Sequence, residues 1–184
     1  MIERLHGGLE IKSFDSDSGI FSGYGSVAGN IDSYGDIVAK GAYKITLAEH
    51  KAAGTMPSML LQHAMGNTVE DSLPIGIWTR MHEDDTGLFC EGKLCLGNQR
   101  ADEAYRLMKM TPRSALNGLS VGYKAVHWQM HGKGEPVRRT LKAVKLFEVS
   151  LVDSPANPKA RVSSVKSTDP ATLALAQLAQ AFRS

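Results

Sequence analysis

Cysteine is nearly absent: only Cys90 and Cys95 occur in 184 residues. They fall in one expected strand at odd spacing, so their side chains point to opposite faces and should not pair. Free, buried thiols fit a reducing cytoplasm. No helix start or basic neighbour would lower their pKa, so neither is expected to be a nucleophile. An excess of one charge is also lacking. A net charge of +2 gives no reason to expect nucleic acid as a partner. No apolar run is long enough to span a membrane, and no membrane role is expected. Met1-Ile2-Glu3-Arg4 is followed by no apolar core, so no signal peptide is expected. There is no phosphate loop, nucleotide fingerprint or metal-ligand set, so neither a cofactor nor a metal is expected.

What remains is an ordinary globular composition, 42% hydrophobic and 22% charged, enough for a real core. Strand patterns cover 5–13 and 20–27, and the turn residues Asp15-Ser16-Asp17-Ser18-Gly19 between them predict a hairpin. The loop Gly29-Asn30-Ile31-Asp32-Ser33-Tyr34-Gly35-Asp36 is better explained by Asx turns than by calcium, since no bidentate acid follows at the right offset. A helix is expected over 41–51 with Ala42, Ile45 and Ala48 inward, stopped by Gly54 and Pro57. A short strand at 59–63 ends in His63, and 67–74 is polar loop. Strands at 75–81 and 88–96 flank a solvated acidic turn. A second helix spans 101–110 with Ala104, Leu107 and Met108 inward. Strands at 119–129 and 137–151 follow. His127 and His131 lie on strand and loop, without the spacing or further ligands of a zinc site.

After Pro155 the composition shifts to a Ser/Lys-rich stretch and an amphipathic helix with Leu175, Leu178, Ala179 and Phe182 on one stripe. The expected division is therefore a domain over 1–160 and a linker plus C-terminal helix over 161–184. The fold class is α+β: mostly β with inserted helices, about seven strands, mainly antiparallel.

The chain is organised around Gly118-Leu119-Ser120-Val121-Gly122-Tyr123, where a serine sits in an apolar strand. A hydroxyl becomes a useful nucleophile when a neutral imidazole takes its proton and an acid orients that imidazole. His63 and Glu148 are the candidates. Spacing alone does not bring the three together: a histidine in an apolar strand can be a core residue, and Glu148 could pair with Lys142 or Lys145.

Four segments, in order, resemble the prohead, or capsid maturation, serine proteases of tailed bacteriophages, distant relatives of the herpesvirus maturational protease. They are Asp32-Ser33-Tyr34-Gly35-Asp36-Ile37-Val38 with Gly41-Ala42-Tyr43; Leu60-Leu61-Gln62-His63 with Pro74-Ile75-Gly76 and Thr86-Gly87-Leu88-Phe89-Cys90; the serine segment; and Phe147-Glu148-Val149-Ser150-Leu151-Val152-Asp153-Ser154-Pro155-Ala156-Asn157-Pro158. The resemblance implies an antiparallel barrel ringed by helices, with Ser120 as nucleophile, His63 as general base and Glu148 as third member. The herpesvirus enzymes carry a histidine in place of Glu148. Asp153 is the alternative third member. Where those enzymes use an arginine-bearing loop for the oxyanion, the matching Ser154-Pro155-Ala156-Asn157-Pro158 contains no arginine, and Ala156 or Asn157 is the candidate donor. The implied substrate is the scaffolding protein or the scaffolding segment of the major capsid protein, cleaved inside the immature capsid in the host cytoplasm, with self-cleavage and a homodimer expected. The alternative is a capsid-assembly binding module with the same fold and no chemistry.

Overall fold

In the computed structural model, residues 19–154 are described, together with the backbone of 3–8. The strands are β1 (Glu3–Gly8), β2 (Ile20–Val27), β3 (Asp36–Val38), β4 (Ser58–Leu61), β5 (Gly76–Glu83), β6 (Gly87–Leu94), β7 (Gly118–Met130) and β8 (Arg139–Val152). The helices are α1 (Lys44–Ala53), the single-turn α2 (Val69–Ser72) and α3 (Gln99–Met108). The fold is mostly β with few helices, its sheet curled into a half-barrel. The strand order is β1-β7-β8-β4-β5-β6-β2, with β3 paired to β8 off that path.

β1 pairs with β7 and β2 with β6, and these two end strands of the order lie against each other, while the expected hairpin turn between them lies outside the described residues. The sheet is mainly antiparallel, as expected, but β3 and β4 both run parallel to β8. The reason lies in the 36–61 stretch, which travels along one edge of β8. Asp36 to Val38 pair with Arg139 to Leu141, and Ser58 to Leu61 pair with Glu148 to Leu151. Between them α1 fills the gap. Val144 N–H donates to Ala42 O (3.0 Å) and Leu146 N–H to Thr46 Oγ1 (3.1 Å). His50 Nε2 lies 3.3 Å from Leu146 O. The helix thus completes hydrogen bonds that a neighbouring strand would otherwise supply.

That role turns α1 differently from its apolar pattern. Thr46 is buried and Leu47 half-buried, while Ile45 and Ala48 are exposed. The helix begins only at Lys44, so Ala42 is buried in the turn before it. Glu83 accepts from Gly41 N–H (2.8 Å) and Tyr43 N–H (3.2 Å), satisfying backbone donors at the helix start. The acidic turn after β5 is therefore built into the fold rather than merely solvated. Gly54 ends α1 in the left-handed conformation that glycine adopts at little cost. In α3 the inward residues are Ala101, Ala104, Tyr105 and Met108, and Leu107 is exposed. The 67–74 loop contains α2, capped by reciprocal bonds between Thr68 and Asp71. Those bonds from Thr68 hold the Asp71 carboxyl below its usual range.

The core lies inside the curl. β7 is buried at every position from Gly118 to Tyr123, and Leu119, Val121, Val149 and Leu151 are fully enclosed. Cys90 is in this core, and burial pushes its thiol up to about 12, which keeps it protonated and inert. Cys95 is exposed beyond β6, against the expectation that both thiols are buried.

Candidate active site

Three elements meet at the site. β8 is its middle strand. On one side β7 pairs with it so that Ser120 lies opposite Ser150 and Gly122 opposite Glu148. On the other side β4 places Ser58 opposite Glu148. Residues paired across strands share a face, as do residues two apart. Ser120, Gly122, Glu148 and Ser150 therefore occupy one face.

His63 reaches that face by leaving the strand. The parallel register of β4 and β8 advances one residue at a time, so a continued β4 would set position 63 opposite Asp153. That is five residues past Glu148, about 16 Å along the strand. Instead the chain breaks at Leu61 into three left-handed residues, Gln62 (φ 50°), His63 (φ 57°) and Ala64 (φ 55°). The expected strand end at His63 is thus a tight left-handed turn. It brings His63 Nδ1 to 2.7 Å from Glu148 Oε1. Three non-glycine residues in this region cost about 1–2 kcal/mol each, and such strain persists where the surroundings enforce it. Here the enforcing partner is the buried carboxylate.

The carboxylate is itself held. Ser150 Oγ–H donates to Glu148 Oε2 at 2.5 Å. Opposite it, Gly122 leaves the space: a methyl there would sit 2.7 Å from both Cγ and Cδ of Glu148 and would overlap Oε1. Ser120 and Ser150 are fully buried, and His63 and Glu148 nearly so. In such a dry setting a charge-assisted hydrogen bond is stronger than in water. Because Glu148 binds Nδ1, Nε2 is the ring atom left to face away from the carboxylate. That is the tautomeric arrangement in which an imidazole can take a hydroxyl proton.

The other expected site residues fall elsewhere. Asp153 is exposed just beyond β8, so the histidine's acid is Glu148. Glu148 takes neither Lys142 nor Lys145 as the partner of Oε1 or Oε2. Ala156 and Asn157, the oxyanion candidates, lie outside the described residues, as do the hairpin turn at 15–19 and the C-terminal helix. Sequence reasoning assigned no role to Ser150 or Gly122. Their signal was available, since Ser150 is two residues from Glu148 in a strand. It also missed the ion pairs of Asp36 with Arg138 (2.9 Å) and buried Arg139 (2.6 Å). A cavity of about 790 Å³ between α1 and the β5–β6 hairpin, lined by Lys44, Met56, Met81 and Glu83 among others, contains none of Ser120, His63 or Glu148.

A curled, mostly β sheet presenting a serine on the same face as a buried histidine–glutamate pair has the makings of a serine hydrolase. The fold is similar to that of the bacteriophage T4 capsid assembly protease, with a TM-score of 0.63 at 12% identity, over 84% of this chain and 98% of that one. The sequence is 34% identical over 160 residues to the prohead protease of Enterobacteria phage HK97, covering 84% of this chain. It spans 64% of that relative's length. The model of the caudovirus prohead serine protease family matches residues 8–173, and the chain belongs to that family.

Proposed function

We propose that this chain is a serine endopeptidase of capsid maturation with Ser120 as nucleophile, His63 as general base and Glu148 as the orienting acid. The observation that carries it is the 2.7 Å bond between His63 Nδ1 and Glu148 Oε1, on the face of the sheet that holds Ser120. In the reaction, the Ser120 oxygen bonds to the scissile carbonyl carbon and its proton passes to His63 Nε2. The resulting imidazolium is stabilised by Glu148 and gives its proton to the leaving amine as the C–N bond breaks. Water, deprotonated by the same imidazole, then releases the acyl group and restores Ser120. Backbone N–H groups at Ala156 or Asn157 would hold the oxyanion.

The substrate in this reading is the scaffolding protein, or the scaffolding segment of the major capsid protein, inside the immature capsid. The names of the T4 and HK97 relatives support it. Self-cleavage follows from enclosure at high local concentration, with 161–184 as a segment outside the 1–160 protease domain. A homodimer accords with the herpesvirus resemblance. The test is intact-mass analysis of the wild type beside Ser120→Ala, incubated concentrated and also co-expressed with the capsid and scaffolding proteins. Fragments from the wild type alone support the assignment. Identical fragments from both variants show that Ser120 is not the nucleophile. No fragments in either setting would overturn the protease reading.

A further inference from the structure

We infer that Ser150 is a positioning residue: its hydroxyl locks the Glu148 carboxylate in the one orientation that serves His63. The inference rests on the proposed role of Glu148 and extends it by one residue.

The geometry leaves the hydroxyl little else to do. Ser150 is fully buried in the middle strand, directly across from Ser120. Its Oγ–H donates to Glu148 Oε2 at 2.5 Å, while Oε1 accepts from His63 at 2.7 Å. The two carboxylate oxygens are thus assigned to different partners. A glutamate side chain has three rotatable bonds, and its terminal torsion is broad. A single hydrogen bond to His63 would leave that torsion loosely set. Anchoring the second oxygen to an adjacent position on the same strand fixes it, and Gly122 supplies the floor on which the carboxylate lies. Ser120 and Ser150 also divide their work by this contact. Ser150 commits its proton to an acid and is therefore poorly placed to act as a second nucleophile.

A hydroxyl that acts only through a carboxylate should matter only while the carboxylate is there. The experiment compares the full chain with Ser150→Ala, Ser150→Thr, Glu148→Gln and the double variant Glu148→Gln/Ser150→Ala. Cleavage of fluorescently labelled casein gives kcat and KM, and circular dichroism confirms folding. Ser150→Ala should lower kcat about 10- to 100-fold, the loss seen when a group that orients a metal ligand by a hydrogen bond is removed. KM should stay within about twofold, because uniform substrate binding is untouched. Ser150→Thr should recover most of the rate by restoring the hydroxyl. In the Glu148→Gln background, removing the Ser150 hydroxyl should cost less than about threefold, a strong departure from additivity.

Equal kcat in wild type and Ser150→Ala would overturn the inference while leaving the protease assignment standing. So would a loss of the same size in the Glu148→Gln background, since that marks a purely structural serine. If Ser150→Ala fails to fold, Ser150→Thr and the double variant carry the test. A wild type that cleaves nothing, here and in the capsid co-expression, removes the protease assignment and this inference with it.

Discussion

Replacing Gly122 by alanine is the sharpest structural test of the site. Gly122 sits in extended strand backbone, so the alanine carries no conformational strain, and a β-carbon would normally help by reducing unfolded-state freedom. Its neighbour decides otherwise. The methyl would meet Glu148 Cγ and Cδ at 2.7 Å, against an ordinary contact near 3.5–4.0 Å. The carboxylate must move by roughly 1 Å, and both of its hydrogen bonds, at 2.7 and 2.5 Å, must break or stretch. Hydrogen bonds to charged groups contribute about 1.5–3 kcal/mol each. Two of them, less about 0.5–1 kcal/mol gained on leaving glycine, give a net loss of roughly 2–5 kcal/mol. For a chain of this size that is a fall in Tm of about 5–20 °C.

Thermal unfolding followed by circular dichroism measures that fall, and cleavage should be lost along with it. The control is the same substitution in a Glu148→Ala background. Alanine lacks Cγ, Cδ and Oε1, the atoms named in the clash, so Gly122→Ala should there be neutral or slightly stabilising. A coupling of about 2 kcal/mol or more between the two positions is the expected result. An equal destabilisation in both backgrounds would show that Gly122 is needed for some other reason, and that the carboxylate is not seated against it.

Three further outcomes are expected. Ala64→Gly should raise stability by about 1 kcal/mol in urea unfolding, because glycine adopts the left-handed conformation at no steric cost; no gain would mean that the turn is unstrained. Asp36→Ala should destabilise by about 1.5–3 kcal/mol or more, since it removes the carboxylate that accepts from both Arg138 and the buried Arg139, and a loss under about 1 kcal/mol would show that solvent replaces the pair. Burial raises the Asp32 carboxyl above its ordinary 3.8, although the backbone N–H groups of Asp36 and Tyr34 oppose the shift. The folded state then binds more protons than the unfolded one above that value, so stability falls as pH rises through the window between the two pKa values. Asp32→Asn removes that loss, and its Tm should exceed the wild type's at pH 7 and converge with it near pH 3; a lower Tm at pH 7 would refute the assignment.

How much was legible follows from what each feature depends on. Ile20–Val27 was found with its bounds intact because alternation and turn chemistry are local. The long strands carrying Ser120 and Glu148 were found within two residues at each end for the same reason. Pairing is not local. Nothing near β1 in sequence signals that it pairs with β7, more than a hundred residues away. The inward face of α1 was misread because Thr46 faces β8 to meet a backbone N–H, a demand set by the gap between β3 and β4. No count of apolar residues contains that information.

The histidine marks where local reasoning must fail at a site of this kind. Gln62 and Ala64 have no propensity for a left-handed turn and a single histidine only a slight one; glycine or asparagine would signal it. Leu60-Leu61-Gln62-His63 reads as strand because, left to its own preferences, it would be one. Strand geometry would leave the imidazole about 16 Å from Glu148. The observed 2.7 Å bond exists because the tertiary fold overrides those preferences. A sequence that keeps disfavoured backbone at one point, beside a carboxylate fixed by Ser150 and Gly122, is constrained there by something other than stability. On the proposed reading of His63 and Glu148 as base and orienting acid, the turn, the glycine and the buried serine are parts of one device.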